Sequence, residues 1–471
     1  MSYARTRSLA IVSLAAFVAI VSRAQLTRLQ PAGGHSHFGL QLTDIHLDPV
    51  TVNPPNPNFS EQDAIQLLEK TKIDDWPAQF ATFQKNIASP KVQPPVDANY
   101  PLMDAALTAA ADKNVVGVSF DYVIFTGDML RHGFPRNDSQ EQALARNAAA
   151  FVVRQMSGRF KAPVFVALGN NDSDSCDYGI KPGDKFLGAV ADEMKVLKGN
   201  TQADADFRKG GYYILPHPTV ANQDIIVLNS VFWSKSYLTY CGGPYTDTPG
   251  LAEMSWLDGQ LSLAAQKHRG VTLVMHIPPG VDPYSHDPGS GGSLFWCDKT
   301  QPSCTDADGF NAVFAAAMAK EIAKYSALIP VAFAGHSHMD DFRSFDDIPG
   351  VPWHIGLAVS PVFGNNPGFS TFSYDPKTAA ITDMTTFTAS PGSPTFTAEY
   401  GFNKAYQVNG FSAANLDAIN AALRAGKANR DTDAFERYYK PGSSLGRSSL
   451  KNITCSQTHI SASDVKACIA R

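Results

Sequence analysis

Five apolar runs between Phe38 and Ala334 each end in residues with metal-binding or hydrogen-bonding side chains, and no other feature limits the fold so tightly. Phe38-Gly-Leu-Gln-Leu42 alternates as a half-buried strand does and leads into Asp44-Ile-His46. Residues 120–126 run into Gly127-Asp128, residues 163–168 into Gly169-Asn170-Asn171, residues 271–275 into His276, and residues 331–334 into Gly335-His336-Ser337-His338. Continuously apolar runs of this length suit strands buried on both faces. Helical patterns lie between them, and strands alternating with helices make an α/β fold. Open α/β sheets bind ligands beyond the carboxyl ends of their strands. Extended backbone puts residues i and i+2 on one side, so Asp44 and His46 are expected to converge. The glycines before Asp128, Asn170 and His336 are expected to let the chain turn sharply.

Asp44 and Asp128 offer carboxylates, Asn170 an amide oxygen, and His46, His276, His336 and His338 imidazoles. Taken singly, a Gly-Asp makes a turn and a histidine after a strand a cap. Together at five strand ends they exceed the needs of one tetrahedral zinc and suit two adjacent ions. Asp128 is the natural bridge. Asp44, His46, Asp128 and His338 are assigned to one ion, and Asp128, Asn170, His276 and His336 to the other.

This motif order resembles that of the calcineurin-like metallophosphoesterases. Leu42-Thr-Asp-Ile-His-Leu-Asp48, Thr126-Gly-Asp128 with His132 four residues on, His276-Ile-Pro-Pro-Gly280 and Asn365-Asn-Pro-Gly-Phe369 are similar to the acid sphingomyelinase-like and endopolyphosphatase-like phosphodiesterase branch. The resemblance spans residues 35–388. It implies a four-layer α/β/β/α sandwich with a dinuclear metal centre at its edge, and a metal-activated hydroxide that attacks phosphorus. Many relatives carry a histidine after the metal-binding asparagine, where this chain has Asn171. The catalytic proton then falls to His132, leaving Asn171 to hydrogen-bond a phosphoryl oxygen. Zinc is the expected metal, with iron or manganese compatible.

The expected activity is that of a secreted metal-dependent phosphodiesterase, a hydrolase of phosphoric esters. Acid sphingomyelinase places a lipid-extracting domain before its catalytic one. Here about ten residues separate Ala24 from the first strand, so a soluble phosphodiester or phosphoanhydride is the favoured substrate. The alternatives are an endopolyphosphatase or nucleotide phosphoanhydride hydrolase and, given Asn171, an exported metal- or phosphate-binding protein without turnover.

The remaining expectations concern compartment and boundaries. Residues 1–24 read as a secretory signal: Arg5 and Arg7, an apolar run, then Ser22-Arg-Ala24 before the cut. Its removal takes three positive charges from a net −5, leaving −8. With no basic stripe, nucleic acid is not an expected partner. No other stretch could span a bilayer, so a secreted or periplasmic location follows. Six cysteines suit an oxidising compartment; of fifteen possible pairings, sequence proximity suggests Cys297–Cys304 and Cys455–Cys468, leaving Cys176–Cys241 as the third candidate pair. The catalytic domain is placed at 36–390, with a break at Pro391 and Pro394. A small, mostly helical C-terminal appendage at 395–471 has helices near 412–425 and 431–439. Ser60 and Asp63 form a capping box opening a helix to about Lys72. The stretch from there to Tyr100 reads as irregular. Met254, Leu257, Leu261 and Ala264 mark one face of a helix over 252–268. Trp233, Tyr237 and Tyr240 suit either a substrate pocket or the core.

Overall fold

In chain order the strands are β1 Phe38–Leu42, β2 Tyr122–Phe125, β3 Val164–Val166, β4 Tyr213–Pro216, β5 Gln223–Val227, β6 Gly270–Val274, β7 Val281–Asp282, β8 Ser293–Leu294, β9 Ala332–Ala334, β10 Asp341–Arg343, β11 Trp353–Ile355, β12 Gly368–Tyr374, β13 Ile381–Ala389 and β14 Phe396–Gly401. The computed structural model describes residues 37–89, 96–135, 139–284, 293–297, 314–443 and 445–471. The expected signal at 1–24 and Cys304 lie outside the described residues.

Two six-stranded sheets form, in the orders β14-β13-β12-β1-β2-β3 and β10-β11-β9-β6-β5-β4. β1, β2 and β3 are parallel, as are β5, β6, β9 and β11, and antiparallel strands flank both sets. The sheets pack face to face. Gln41 on β1 donates to the Ala334 carbonyl on β9 at 2.8 Å, and the Phe333 and Phe372 rings stand 5.0 Å apart. Every residue of β2 and of β5 is buried, as continuous apolar runs require. Each large aliphatic or aromatic side chain so buried stabilises the fold by about 1.5–3 kcal/mol. Helices Tyr100–Ala111, Ser139–Arg159 and Thr248–Gln266 pack against β12, β3 and β6. The result is the expected four-layer α/β/β/α sandwich.

The Ser60 capping box forms: Ser60 accepts the Asp63 N–H at 3.2 Å and donates its own N–H to Asp63 at 2.8 Å. Its helix ends at Glu69, short of Lys72. The stretch expected to be irregular contains helix Trp76–Phe83. Trp76, Phe80 and Phe83 fall on one face and are buried, and Pro77 occupies the first turn, where its missing N–H costs nothing. On Thr248–Gln266 the buried face takes Glu253 in place of Met254. The Glu253 carboxyl accepts the Asn229 N–H at 2.7 Å just past β5, and burial pushes its pKa well up.

Past Pro391 and Pro394 the chain re-enters the first sheet as β14, antiparallel to β13, so the sheet extends beyond residue 390. The prolines lie in the connecting turn, where no ladder N–H is needed. The remainder is helical: Phe402–Tyr406, Ala413–Arg424, Arg430–Tyr438, Arg447–Thr458 and Ala462–Ala470. Leu416, Ile419 and Leu423 are buried, as their spacing predicts. Cys176–Cys241 and Cys455–Cys468 are bonded. No helix among the described residues is long and apolar enough to cross a membrane.

Candidate metal centre

β1 ends at Leu42, two residues before Asp44, so strand alternation is not what brings Asp44 and His46 together. Both adopt positive φ, 48° and 47°, and so do Asp128 (62°), His336 (75°) and His338 (63°). The Asp44 and His46 N–H groups donate to the carbonyls of Gly127 and Asp128 at 2.9 and 3.0 Å, locking the turns after β1 and β2 side by side. Gly127 needs glycine for its φ of 98°. Gly169 and Gly335 are needed for room instead: a Cβ would overlap the Asp128 carboxylate at one and Thr43 and Asp44 at the other.

The turns bring all seven expected ligand residues together. Asp128 Oδ2 lies 3.1 Å from His276 Nε2 and 3.4 Å from His46 Nε2. Asp44 Oδ1 is 3.3 Å from His338 Nε2 and 3.6 Å from His46 Nε2, and those two imidazole nitrogens are 3.0 Å apart. Asn170 Oδ1 sits 3.1 Å from His276 Nε2. Donor atoms of Asp44, His46 and Asp128 fall within 4.8 Å of one another, as do those of Asp128, His276 and His336 and those of His46, His132 and His338. Asp44, His46 and His276 are fully buried, and His336 is half-buried.

Main-chain carbonyls orient two of the rings. His46 Nδ1 is 2.9 Å from the Leu130 oxygen and His276 Nδ1 is 2.7 Å from the Thr126 oxygen. A carbonyl can only accept, so each Nδ1 carries the proton and each Nε2 faces the cluster. Burial opposes charge on all four imidazoles. It pushes His336 and His338 down to about 3. At His46 and His276 burial is outweighed, by Asp128 above all, and the rings are raised to about 10 and about 9. Burial would raise Asp44 and Asp128 too, yet the surrounding imidazoles hold both carboxyls below the usual range, His338 foremost for Asp44 and His276 for Asp128. Such an arrangement favours positive charge at its middle. Two carboxylates, one of them shared, an amide oxygen and four imidazoles fit two divalent ions of the N/O-preferring kind.

The calcineurin-like phosphoesterase family model matches residues 40–340. The chain belongs to that family. This phosphoesterase is 26% identical to sphingomyelinase phosphodiesterase D of Dictyostelium discoideum, over 74% of its own length and 75% of the relative's. It is 25% identical to human acid sphingomyelinase-like phosphodiesterase 3b over 73% of each chain. The bovine cyclic GMP-AMP phosphodiesterase SMPDL3A matches at 25%, again over 73% of each. Among solved structures, a dimetal phosphatase from Danio rerio aligns with TM-score 0.36 and 11% identity, covering 76% of this chain and 96% of that one. By its family and its phosphodiesterase relatives the chain is a metal-dependent phosphoesterase.

Around the phosphoesterase's centre, His132 stacks on His46 with ring centres 4.1 Å apart, and its Nδ1 lies 3.1 Å from Asp97. Asn171 is fully buried. Its N–H donates to Asp128 Oδ1 at 2.8 Å, its Oδ1 accepts from Asn170 at 2.8 Å, and its side chain also faces the Asp177 carboxyl. Trp233 and Tyr237 belong to the core, while Tyr240 is exposed. Tyr240 lines a cleft of about 500 Å³ with Pro135, Lys181 and Leu238, beside the Cys176–Cys241 bridge.

Two carboxylates escaped the sequence reading. Asp172 accepts the N–H groups of Asp128, Met129 and Gly169 at 2.9, 2.7 and 2.8 Å, fixing the two turns relative to each other. Burial, then the Asp128 charge, raises it to about 7. Its signal was its place directly after Asn170-Asn171. Asp97 would be raised by burial, but the hydrogen bonds from His132 and the charges of His46 and His132 together outweigh that and hold it below the usual range. No motif marks it.

Proposed function

We propose that this chain is a dinuclear, sphingomyelinase-like phosphodiesterase that cleaves a small soluble phosphodiester outside the reducing cytosol. The observation that carries the reading is Asp128. One of its carboxylate oxygens stands 3.1 and 3.4 Å from imidazoles of two separate donor groups, as a bridging ligand would. Asp44, His46, Asp128 and His338 would hold one ion, and Asp128, Asn170, His276 and His336 the other. Bound there, two dications supply Lewis acidity toward the phosphoryl oxygens and lower the pKa of coordinated water.

The chain's own residues do the rest. Asp128 Oδ1 accepts the Asn171 N–H, so Oδ2 would be the oxygen that serves both ions. Asn171 Nδ2 faces the Asp177 carboxyl, and the second of its two N–H groups can donate to a phosphoryl oxygen. His132, with Nδ1 turned to Asp97, has Nε2 for the leaving group. As a water oxygen bonds to phosphorus and the opposite P–O bond breaks, His132 in its imidazolium form gives its Nε2 proton to the leaving oxygen, and solvent reprotonates the ring. The relatives' names, acid sphingomyelinase-like and cyclic GMP-AMP phosphodiesterase, favour a diester over an anhydride. Two formed disulfides support an oxidising compartment. Zinc is the proposed metal, since histidine-rich N/O sites take it readily.

Metal analysis of purified protein, run beside a panel of bis-p-nitrophenyl phosphate, sphingomyelin, ATP and polyphosphate, tests this. Two ions per chain and metal-dependent diester hydrolysis are expected. Preferential cleavage of ATP or polyphosphate would replace the diester reading with a phosphoanhydride one.

A further inference from the structure

Four contacts meet on the side chain of Asp97. The His132 N–H donates to Oδ2 at 3.0 Å, and His132 Nδ1 lies 3.1 Å from each carboxylate oxygen. The Ser360 hydroxyl donates to Oδ1 at 3.0 Å. The Asp97 side chain is 8% exposed and that of His132 is 37% exposed, so a buried acid grips an accessible ring. It grips by main chain and ring together, which fixes the side-chain torsion as well as the ring plane.

The surroundings leave the ring little freedom. One face stacks on His46, tilted by 12°, and Phe363 stands edge-on at 5.6 Å. Ser360 ties the grip to the metal centre, because its N–H donates to the Asp44 carbonyl at 2.9 Å. Asn365 in turn donates to the Ser360 carbonyl at 3.1 Å. A carboxylate only accepts, so His132 keeps a proton on Nδ1 toward Asp97 whether the ring is neutral or an imidazolium, and Nε2 is left to take up and give the catalytic proton. A half-exposed imidazole without such a partner would exchange tautomers and rotate.

We propose that Asp97 is the positioning residue of the reaction, keeping a proton on His132 Nδ1 and turning Nε2 to the metal centre, so that the imidazolium's Nε2–H meets the leaving group. The proposal rests on the reading of His132 as the proton donor. It differs from a second use of the same geometry, in which His132 joins His46 and His338 as a third imidazole on one ion, since donor atoms of those three lie within 4.8 Å of one another.

The experiment has two arms on the full chain. In the first, nitrogen-15-labelled histidine NMR follows the His132 ring, assigned by its loss in His132→Gln. The native protein is expected to show the Nδ1–H form with or without metal, and Asp97→Asn an exchanging mixture. An unchanged tautomer in Asp97→Asn overturns the proposal, whatever the activity. In the second arm, Asp97→Asn is assayed on a dialkyl and a nitrophenyl phosphodiester. A nitrophenolate leaves without needing a proton, so kcat on the alkyl ester is expected to fall roughly tenfold further than on the nitrophenyl ester, with KM and bound metal little changed. Equal losses on the two esters would overturn it, and loss of metal would instead make His132 a ligand. Ser360→Ala keeps the carboxylate and is expected to show the same pattern, weaker, should Asp97→Asn fold poorly. If the native protein hydrolyses no diester, the functional reading falls and the NMR arm still decides the role of Asp97.

Discussion

The two sheets supply chemically different halves of one centre. Turns from the first sheet bring Asp44, Asp128 and the Asn170 amide, an oxygen-rich set with a single imidazole, His46. Turns from the second bring only imidazoles: His276, His336 and His338. The closest approaches cross the seam, at 3.0 Å between His46 and His338 and 3.1 Å from His276 to both Asp128 and Asn170. The oxygen half is wired through the main chain, by Asp172 and by the bonds from Asp44 and His46 to the neighbouring turn. The nitrogen half is held less evenly, since His276 is pinned to a carbonyl and His338 Nδ1 is buried without a partner. Neither half has the donors for two ions, so the centre exists only once the sheets have packed. Metal binding and sheet packing are then coupled.

Asp128→Asn should break this picture hardest, because one carboxylate serves both halves. Bound metal and activity are expected to fall together, by on the order of a hundredfold or more. A fully active, metal-free variant would contradict the shared role. Next in size is removal of the ions by chelation. Metal at a hundred times its dissociation constant adds about 2.7 kcal/mol to stability, so calorimetry with and without chelator should show a drop of several degrees. An identical transition would mean that the seam does not depend on metal.

Acidity separates the halves more finely. In the chelated protein His46 and His276 are raised from 6.5 to about 10 and about 9 by the acids facing them. Their contribution to stability is therefore complete below pH 6.5 and is lost as pH climbs through about 9 to about 10. Thermal scans of the chelated chain between pH 7 and pH 10 should show a falling midpoint, and a rising one would refute the assignment. The smallest effect expected is that of Asn171→Ala, which removes the acceptor for the Asn170 amide. A hydrogen bond of about 1 kcal/mol predicts roughly fivefold weaker binding of one ion. Metal titration that finds both ions equally weakened would show the halves to be less distinct than drawn.

The candidate ligands were legible because an acid or imidazole placed directly after a buried strand has few other reasons to be there, and five such places coincided. The cause of their convergence was not legible. Alternation along β1 pointed to Asp44 and His46, whereas the chain has already left the strand and turns through left-handed backbone at both. Asp97 was invisible for a different reason: its partner lies 35 residues on, and only the packed fold joins them. Helix Trp76–Phe83 lay inside a stretch read as irregular, where Pro77 is only a first-turn residue. Met254 had the right spacing for the core, but the unpaired N–H of Asn229 drew in Glu253 instead. The layers of the sandwich followed from the apolar runs, while β14 was hidden by the prolines that precede it.

The left-handed turns carry one more consequence. For residues other than glycine, that backbone region is disfavoured by roughly 1–2 kcal/mol apiece, and five of the candidate ligands occupy it. A lineage selected for heat tolerance alone would therefore drift toward glycine at these corners and end as a sturdier, inert relative. Retaining chemistry means keeping the scaffold a little less durable than the same sandwich could be.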